Sequence, residues 1–164
     1  MKKAVIIIFI LGLIACTSNK SVTDYKPISQ DEFLKNPFGF KETIQNFSTI
    51  SSPKFNTQKL LKRNQHYPEK TDTIYQFKYK NSEIFFYKTH LGKEFLLAGK
   101  VLNKQIILKN NIQIGLPIDE FKARFSDELS FNSDSLQMIG EGTKYTFIFS
   151  KGKLYRINID NYMD

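Results

Sequence analysis

The chain has 164 residues, with 24 Lys and Arg against 16 Asp and Glu, a net charge of +8 and a single cysteine. That length suits one domain or two small ones. One cysteine excludes an intramolecular disulfide, so stability must come from packing. The 15 Phe and 8 Tyr, with no Trp, suit a sheet-rich core.

Lys2 and Lys3 open the chain, and Ala4 to Ile14 is an apolar run broken only by Gly12. A basic head, an apolar stretch and a small residue before a cut site make a secretory signal peptide over residues 1–15. The run is shorter than the ~20 apolar residues that span a bilayer. Its end, Leu13-Ile14-Ala15-Cys16, resembles the lipobox of bacterial lipoproteins. The resemblance implies cleavage between Ala15 and Cys16, a diacylglycerol on Cys16 and an acylated new amino terminus. The lipid bilayer is then one partner of the chain. Thr17 follows the cysteine. In that family an aspartate there retains the protein in the inner membrane, so the resemblance places this one in the outer membrane. Without residues 1–15 the chain loses two lysines and no acid, which leaves +6 on 149 residues. The cations are scattered, which favours solubility and weak attraction to anionic surfaces. An exported protein rarely meets nucleic acid, which is not an expected partner.

Residues 16–28 are the lipidated cysteine and a polar stretch that reads as a flexible tether. A domain over residues 29–164 follows. Ser29 with Glu32 has capping-box spacing, and Phe33-Leu34 begins a short helix that Asn36-Pro37 and Gly39 interrupt. Phe40, Ile44 and Phe47 recur at helical spacing. From Phe55 the period becomes two. Phe55 to Leu61, Thr73 to Lys80, Glu83 to Thr89, Glu94 to Leu102 and Gln105 to Lys109 read as strands, with a hairpin turn at Asn81-Ser82. A second unit begins near Ile112. Gly115 and Pro117 introduce a helix whose Leu116, Phe121 and Phe125 face the core. Ser135 to Ile139, Lys144 to Ser150 and Lys153 to Asp160 are strands, the last two joined by a Lys151-Gly152 turn.

The expected fold class is therefore α+β: an antiparallel β-meander sheet with helices packed on one face. The order admits two helix-plus-meander units, residues 29–110 and 111–164. Three segments carry a further likeness: Ile114 to Phe121, Tyr145 to Phe149, and Gly152 to Ile157. They resemble small outer-membrane lipoproteins of the SmpA/OmlA type and the related β-lactamase-inhibitor-like fold. The resemblance covers about a third of the chain and implies architecture only. The extended amino-terminal segment of the assembly lipoproteins has no counterpart in this chain.

No catalytic motif is present: no His-Glu-x-x-His, no Gly-x-Ser-x-Gly and no phosphate-binding glycine loop. His66 and His90 stand apart in the sequence and read as solvated loop or strand-end residues. Asp119-Glu120 sits where a helix macrodipole favours negative charge. The expectation is no catalytic residue, no metal site and no cofactor. Pairing across the Asn81-Ser82 turn puts Tyr79, Ile84, Phe77 and Phe86 on a core face and Lys78, Phe85, Gln76 and Tyr87 on the other. In the last hairpin the same rule pairs Ile148 with Tyr155 and Phe149 with Leu154. Lys78, Phe85 and Tyr87 are the candidate partner-binding residues, because a mixed aromatic and basic face suits protein binding. An inhibitor-type or immunity-type lipoprotein, or an envelope-assembly accessory, is the expected role. The alternative is a small-ligand carrier or an enzyme whose site is assembled from scattered residues.

Overall fold

Alternating apolar and polar residues make one-sided strands. The computed structural model describes residues 25–51 and 53–161, and it turns this alternation into a single sheet. The strands are β1 (Asn56–Arg63), β2 (Thr71–Tyr79), β3 (Ser82–Lys88), β4 (Glu94–Val101), β5 (Phe131–Asn132), β6 (Ser135–Ile139), β7 (Thr143–Ser150) and β8 (Lys153–Asn161). They lie side by side in the order β1-β2-β3-β4-β8-β7-β6-β5, and every pair is antiparallel. Pairing of β4 with β8 joins the two meanders, with Gly99 opposite Ile159 and Val101 opposite Ile157. A Cβ on Gly99 would stand 3.1 Å from Ile159 Cδ1. The glycine therefore lets the isoleucine pack over bare backbone.

This arrangement corrects the α+β expectation. The described residues are mainly β, with three single-turn α-helices: α1 (Gln30–Leu34), α2 (Ile44–Thr49) and α3 (Ile118–Lys122). Helices of five or six residues do not hold by themselves in water and make no helical layer. All three bury a ring, and α1 and α2 are also capped by side chains, whereas α3 starts at Pro117 without a side-chain cap. Ser29 Oγ accepts from the Glu32 amide at 3.0 Å. Thr43 Oγ1 accepts from the Asn46 amide at 3.2 Å. Glu94 Oε2 accepts from the Ile44 amide at 3.0 Å while its Oε1 pairs with Lys88 Nζ, also at 3.0 Å. Each helix delivers one fully buried ring to the sheet: Phe33 against Tyr145 and Phe147, Phe47 against Phe77 and Phe86, Phe121 against Phe147 and Phe149. Nor are there two separate units, since one sheet and one core run through both halves.

Three local expectations are also corrected. Gln105 to Lys109 is not a strand; a loop leads to a 3-10 turn, Lys109–Asn111, although Ile106 and Leu108 are buried. The edge of β4 that a following strand would need is taken by β8. The β2–β3 turn sits one residue early, at Lys80-Asn81, with Lys80 at φ 52°. Phe77 therefore pairs with Ile84 and Gln76 with Phe85. The slip is two positions, so every side chain keeps its expected face. In the last hairpin Phe149 pairs with Leu154, but a bulge pairs Ile148 with Arg156 and leaves Tyr155 exposed.

The described chain is tied down from its first residues. The Ile28 amide donates to Arg124 O and the Ser126 amide to Ile28 O, both at 3.0 Å. The Arg124 guanidinium lies 3.5 Å over the Tyr25 ring.

Among the described residues five buried side-chain polar atoms lack a hydrogen-bond partner, Glu42 Oε1 and Tyr145 Oη among them. Burial pushes the Glu42 carboxyl up to about 7 from its ordinary 4.5. Burial, and then the Glu42 charge, push the Tyr145 hydroxyl well above its ordinary value. A raised carboxyl means that the folded chain holds more protons than the unfolded chain between those two values. Stability therefore falls as pH rises from about 4.5 to 7, by roughly 3 kcal/mol in all. Urea unfolding across this range will show the decline, and Glu42→Gln will flatten it and raise stability at pH 8. Phe47→Ala empties a ring site shared by three elements and will cost about 3–5 kcal/mol in the same assay.

Candidate protein-binding face

Directly paired residues share a face, so the register draws the second side of the sheet. Leu60, Ile74, Tyr87 and Phe95 form one row across β1 to β4. The next row runs through Gln58, Gln76, Phe85 and Ala98. A third is polar, through Asn56, Lys78, Glu83 and Lys100. The buried helix rings all touch the opposite face, and among the described residues no helix lies over this one. Leu60 is 50 % exposed and Phe95 39 %, while Ile74, Phe85 and Tyr87 are half-buried.

The structure therefore puts Lys78, Phe85 and Tyr87 on one face. Phe85 lies at the heart of the apolar patch. Lys78 lies in the polar row, exposed beside Glu83, whose carboxylate takes Gln76 Nε2 at 3.2 Å and Lys100 Nζ at 3.8 Å. Leu60, Ile74 and Phe95 belong to the patch and escaped the sequence reading. Leu60 needed the β1–β2 register, whereas Ile74 follows from alternation with Gln76 and Lys78 alone. Phe95 needed the β-bulge in β4, where Phe85 pairs with Ala98 but Phe86 with Leu96. That irregularity turns Leu96 into the core and Phe95 out.

Tyr87 also serves a structural purpose. Its hydroxyl donates to Oδ2 of Asp72, a carboxylate with no exposed surface. Asn64 Nδ2 donates to the same oxygen at 2.7 Å. The His90 amide donates to Oδ1 at 2.7 Å, with His90 Nδ1 3.4 Å away. Asn64 Oδ1 in turn accepts from the amides of His66 and Tyr67, each at 2.9 Å. One carboxylate thus holds the β1–β2 and β3–β4 loops against each other. These hydrogen bonds, chiefly that of Tyr87, hold the Asp72 carboxyl below its ordinary value. The reciprocal effect, together with burial, pushes the Tyr87 hydroxyl up to about 12. The Tyr87 ring carries Lys62 Nζ at 6.0 Å from its centre.

The remaining sequence candidates fall elsewhere. His66 is exposed, with Tyr67 and His90 in ring contact beside it. Asp119 and Glu120 lie exposed in the first turn of α3. Ala15 and Cys16, the expected cleavage and lipidation positions, lie outside the described residues. Among the described residues, no group of three or more His, Cys, Asp or Glu side chains is placed to hold a metal ion, and no helix is long and apolar enough to cross a membrane. An open cleft of ≈ 420 Å³ lies between α1 and the β6–β7 turn, lined by Asp31, Leu34, Lys35, Gly140, Glu141 and Thr143. It does not border Asp72 or His90. What the patch offers chemically is apolar area beside fixed polar groups.

The chain matches no family model, no curated protein and no solved structure.

Because the Asp72 value is lowered, its stabilisation is present above the ordinary carboxylate range and is lost as pH falls through the folded value. Asp72→Asn puts an amide N–H against one of these donors. Hydrogen exchange at the His66, Tyr67 and His90 amides will accelerate, while that of Phe147 in the core stays slow. Tyr87→Phe removes a single donor to a charged group and will cost about 1.5–3 kcal/mol, measured by urea unfolding at neutral pH.

Proposed function

We propose that this chain is a lipid-anchored lipoprotein of the bacterial cell envelope, seated in the outer membrane, that binds another protein through the second face of its sheet. The lipobox resemblance at Leu13 to Cys16 supports the anchor. Acyl chains contribute about 0.8 kcal/mol per buried methylene, so two or three chains on Cys16 hold firmly where one would not. The observation that carries the binding role is the apolar patch of Leu60, Ile74, Phe85, Tyr87 and Phe95 on a face that no described helix covers. An inhibitor or immunity role, or an accessory role in envelope assembly, needs such a rigid recognition surface and no catalytic group.

Two experiments separate the halves of this proposal. Labelled palmitate fed to cells will mark the wild-type chain and not Cys16→Ser; label on both would remove the anchor. For the face, a photo-crosslinking residue is placed at position 85 or, as a control, at Glu141 in the full chain. A discrete adduct will form from position 85 alone. Phe95→Ala will reduce it about tenfold, the effect of losing ~1.4 kcal/mol at a central contact. Equal adducts from both positions, or none from position 85, would overturn the face.

A further inference from the structure

The sheet has two edges, and they differ. β5 at one edge has two residues. β1 at the other has eight, all exposed, and pairs with β2 in unbroken register. The Asn64 amide donates to Lys70 O at 3.0 Å, one step beyond the Arg63–Thr71 pair. Antiparallel ladders alternate residues that bond the neighbour with residues that point away. The even-numbered residues of β1 therefore bond β2. Thr57, Lys59, Leu61 and Arg63 turn their N–H and C=O groups outward. Among the described residues no backbone group meets them.

Natural sheets blunt such edges with short strands, prolines, bulges or charge. β1 uses only charge. It has no proline and no bulge, and it presents Leu60 and Leu61, the latter 78 % exposed. Its cations are Lys59, Lys62 and Arg63, and residues 43–68 contain no Asp or Glu. Among the described residues these three make no salt bridge, although Lys62 stands opposite Asp72 in the ladder; Lys59 rests over Tyr75, Lys62 over Tyr87, and Arg63 Nε donates to Pro68 O at 2.8 Å. A second copy docking edge to edge would set these cations against their own kind, which is destabilising in a cross-strand pair. An acidic strand meets them favourably.

We infer that β1 is a docking edge for an extended acidic segment of a partner protein, which joins the sheet as a further antiparallel strand. The open ladder supplies main-chain hydrogen bonds, the leucines take apolar side chains, and the cations select acids. The edge lies beside the aromatic face, since Leu60 belongs to both, but the inference does not depend on that face.

The test uses the full chain in detergent and the peptide Glu-Glu-Ile-Val-Glu-Thr-Thr, which antiparallel pairing places opposite Arg63 to Thr57. A control peptide carries Lys for each Glu. Binding is followed by fluorescence anisotropy, and amide exchange of the chain by NMR. The acidic peptide is expected to bind and to slow exchange at the amides of Thr57, Lys59, Leu61 and Arg63; the lysine peptide is expected to do neither. Lys59→Glu with Arg63→Glu is expected to weaken binding at least about tenfold, ~1.4 kcal/mol. Leu61→Pro removes an N–H that β2 does not use and is expected to abolish binding with the far-ultraviolet circular dichroism unchanged. Phe85→Ala is expected to leave peptide binding intact, which separates this edge from the aromatic face. No binding, equal binding of both peptides, or binding indifferent to the charge reversal would overturn the inference. So would a dimer in sedimentation that Leu61→Pro dissociates, since a second copy would then be the occupant.

Discussion

Everything in this fold depends on the pairing of β4 with β8. Without it there are two short meanders, each with one apolar face and too little core. With it, residues far apart in sequence share one sheet, and Phe77, Val101, Ile157 and Phe147 line a single buried surface. At the seam Gly99 leaves the space in which the Ile159 side chain packs. It also decides what cannot form. Residues 105–109 have strand-like alternation, yet the place beside β4 is occupied, so they become a loop that buries Ile106 and Leu108 against the core.

A sheet of this width with one apolar face has to be covered, and the cover is economical. The three single-turn helices each insert one phenylalanine; Phe33 and Phe121 meet the strand rings Tyr145 and Phe149 edge to face, and Phe47 meets Phe77 and Phe86 at a tilt. Aromatic pairs in such geometry add to simple area burial, which suits a chain without a disulfide. The cover is specific as well as apolar. Glu94 reaches from β4 to the first amide of α2, so a charged group and a helix end satisfy each other.

The second face obeys a different logic. Its apolar rows lie beside a carboxylate, Asp72, that no solvent reaches and to which three donors bond, with His90 Nδ1 beside them. A buried charge of this kind is tolerated only when it is fully hydrogen-bonded, and here the partners come from two loops and a strand. The result is a rigid end to the sheet with Tyr87 pinned in place. Beside it runs the long cationic edge of β1. A stiff apolar face next to an open backbone ladder is the combination that protein-binding sheets use.

Much of this was legible before any fold was known. Ser29 and Glu32 marked the first helix, the Lys151-Gly152 turn marked the last hairpin, and alternation assigned side chains to faces. Even the misplaced β2–β3 turn left the faces right, because the strand period is two and the slip was two. By itself, then, the sequence determined the faces of the β2–β3 hairpin and where most strands and turns lie, since those depend on neighbours a few residues apart. Its amino-terminal lipobox resemblance speaks to location and not to fold. Only the tertiary structure decided that the helices are single turns on a mainly β fold, that Phe95 faces outward past a bulge, that Asp72 gathers two loops, and that β1 is left as a free edge. Each of these depends on which strand lies beside which. That choice is set by contacts between residues distant in the chain, and local periodicity carries no record of it.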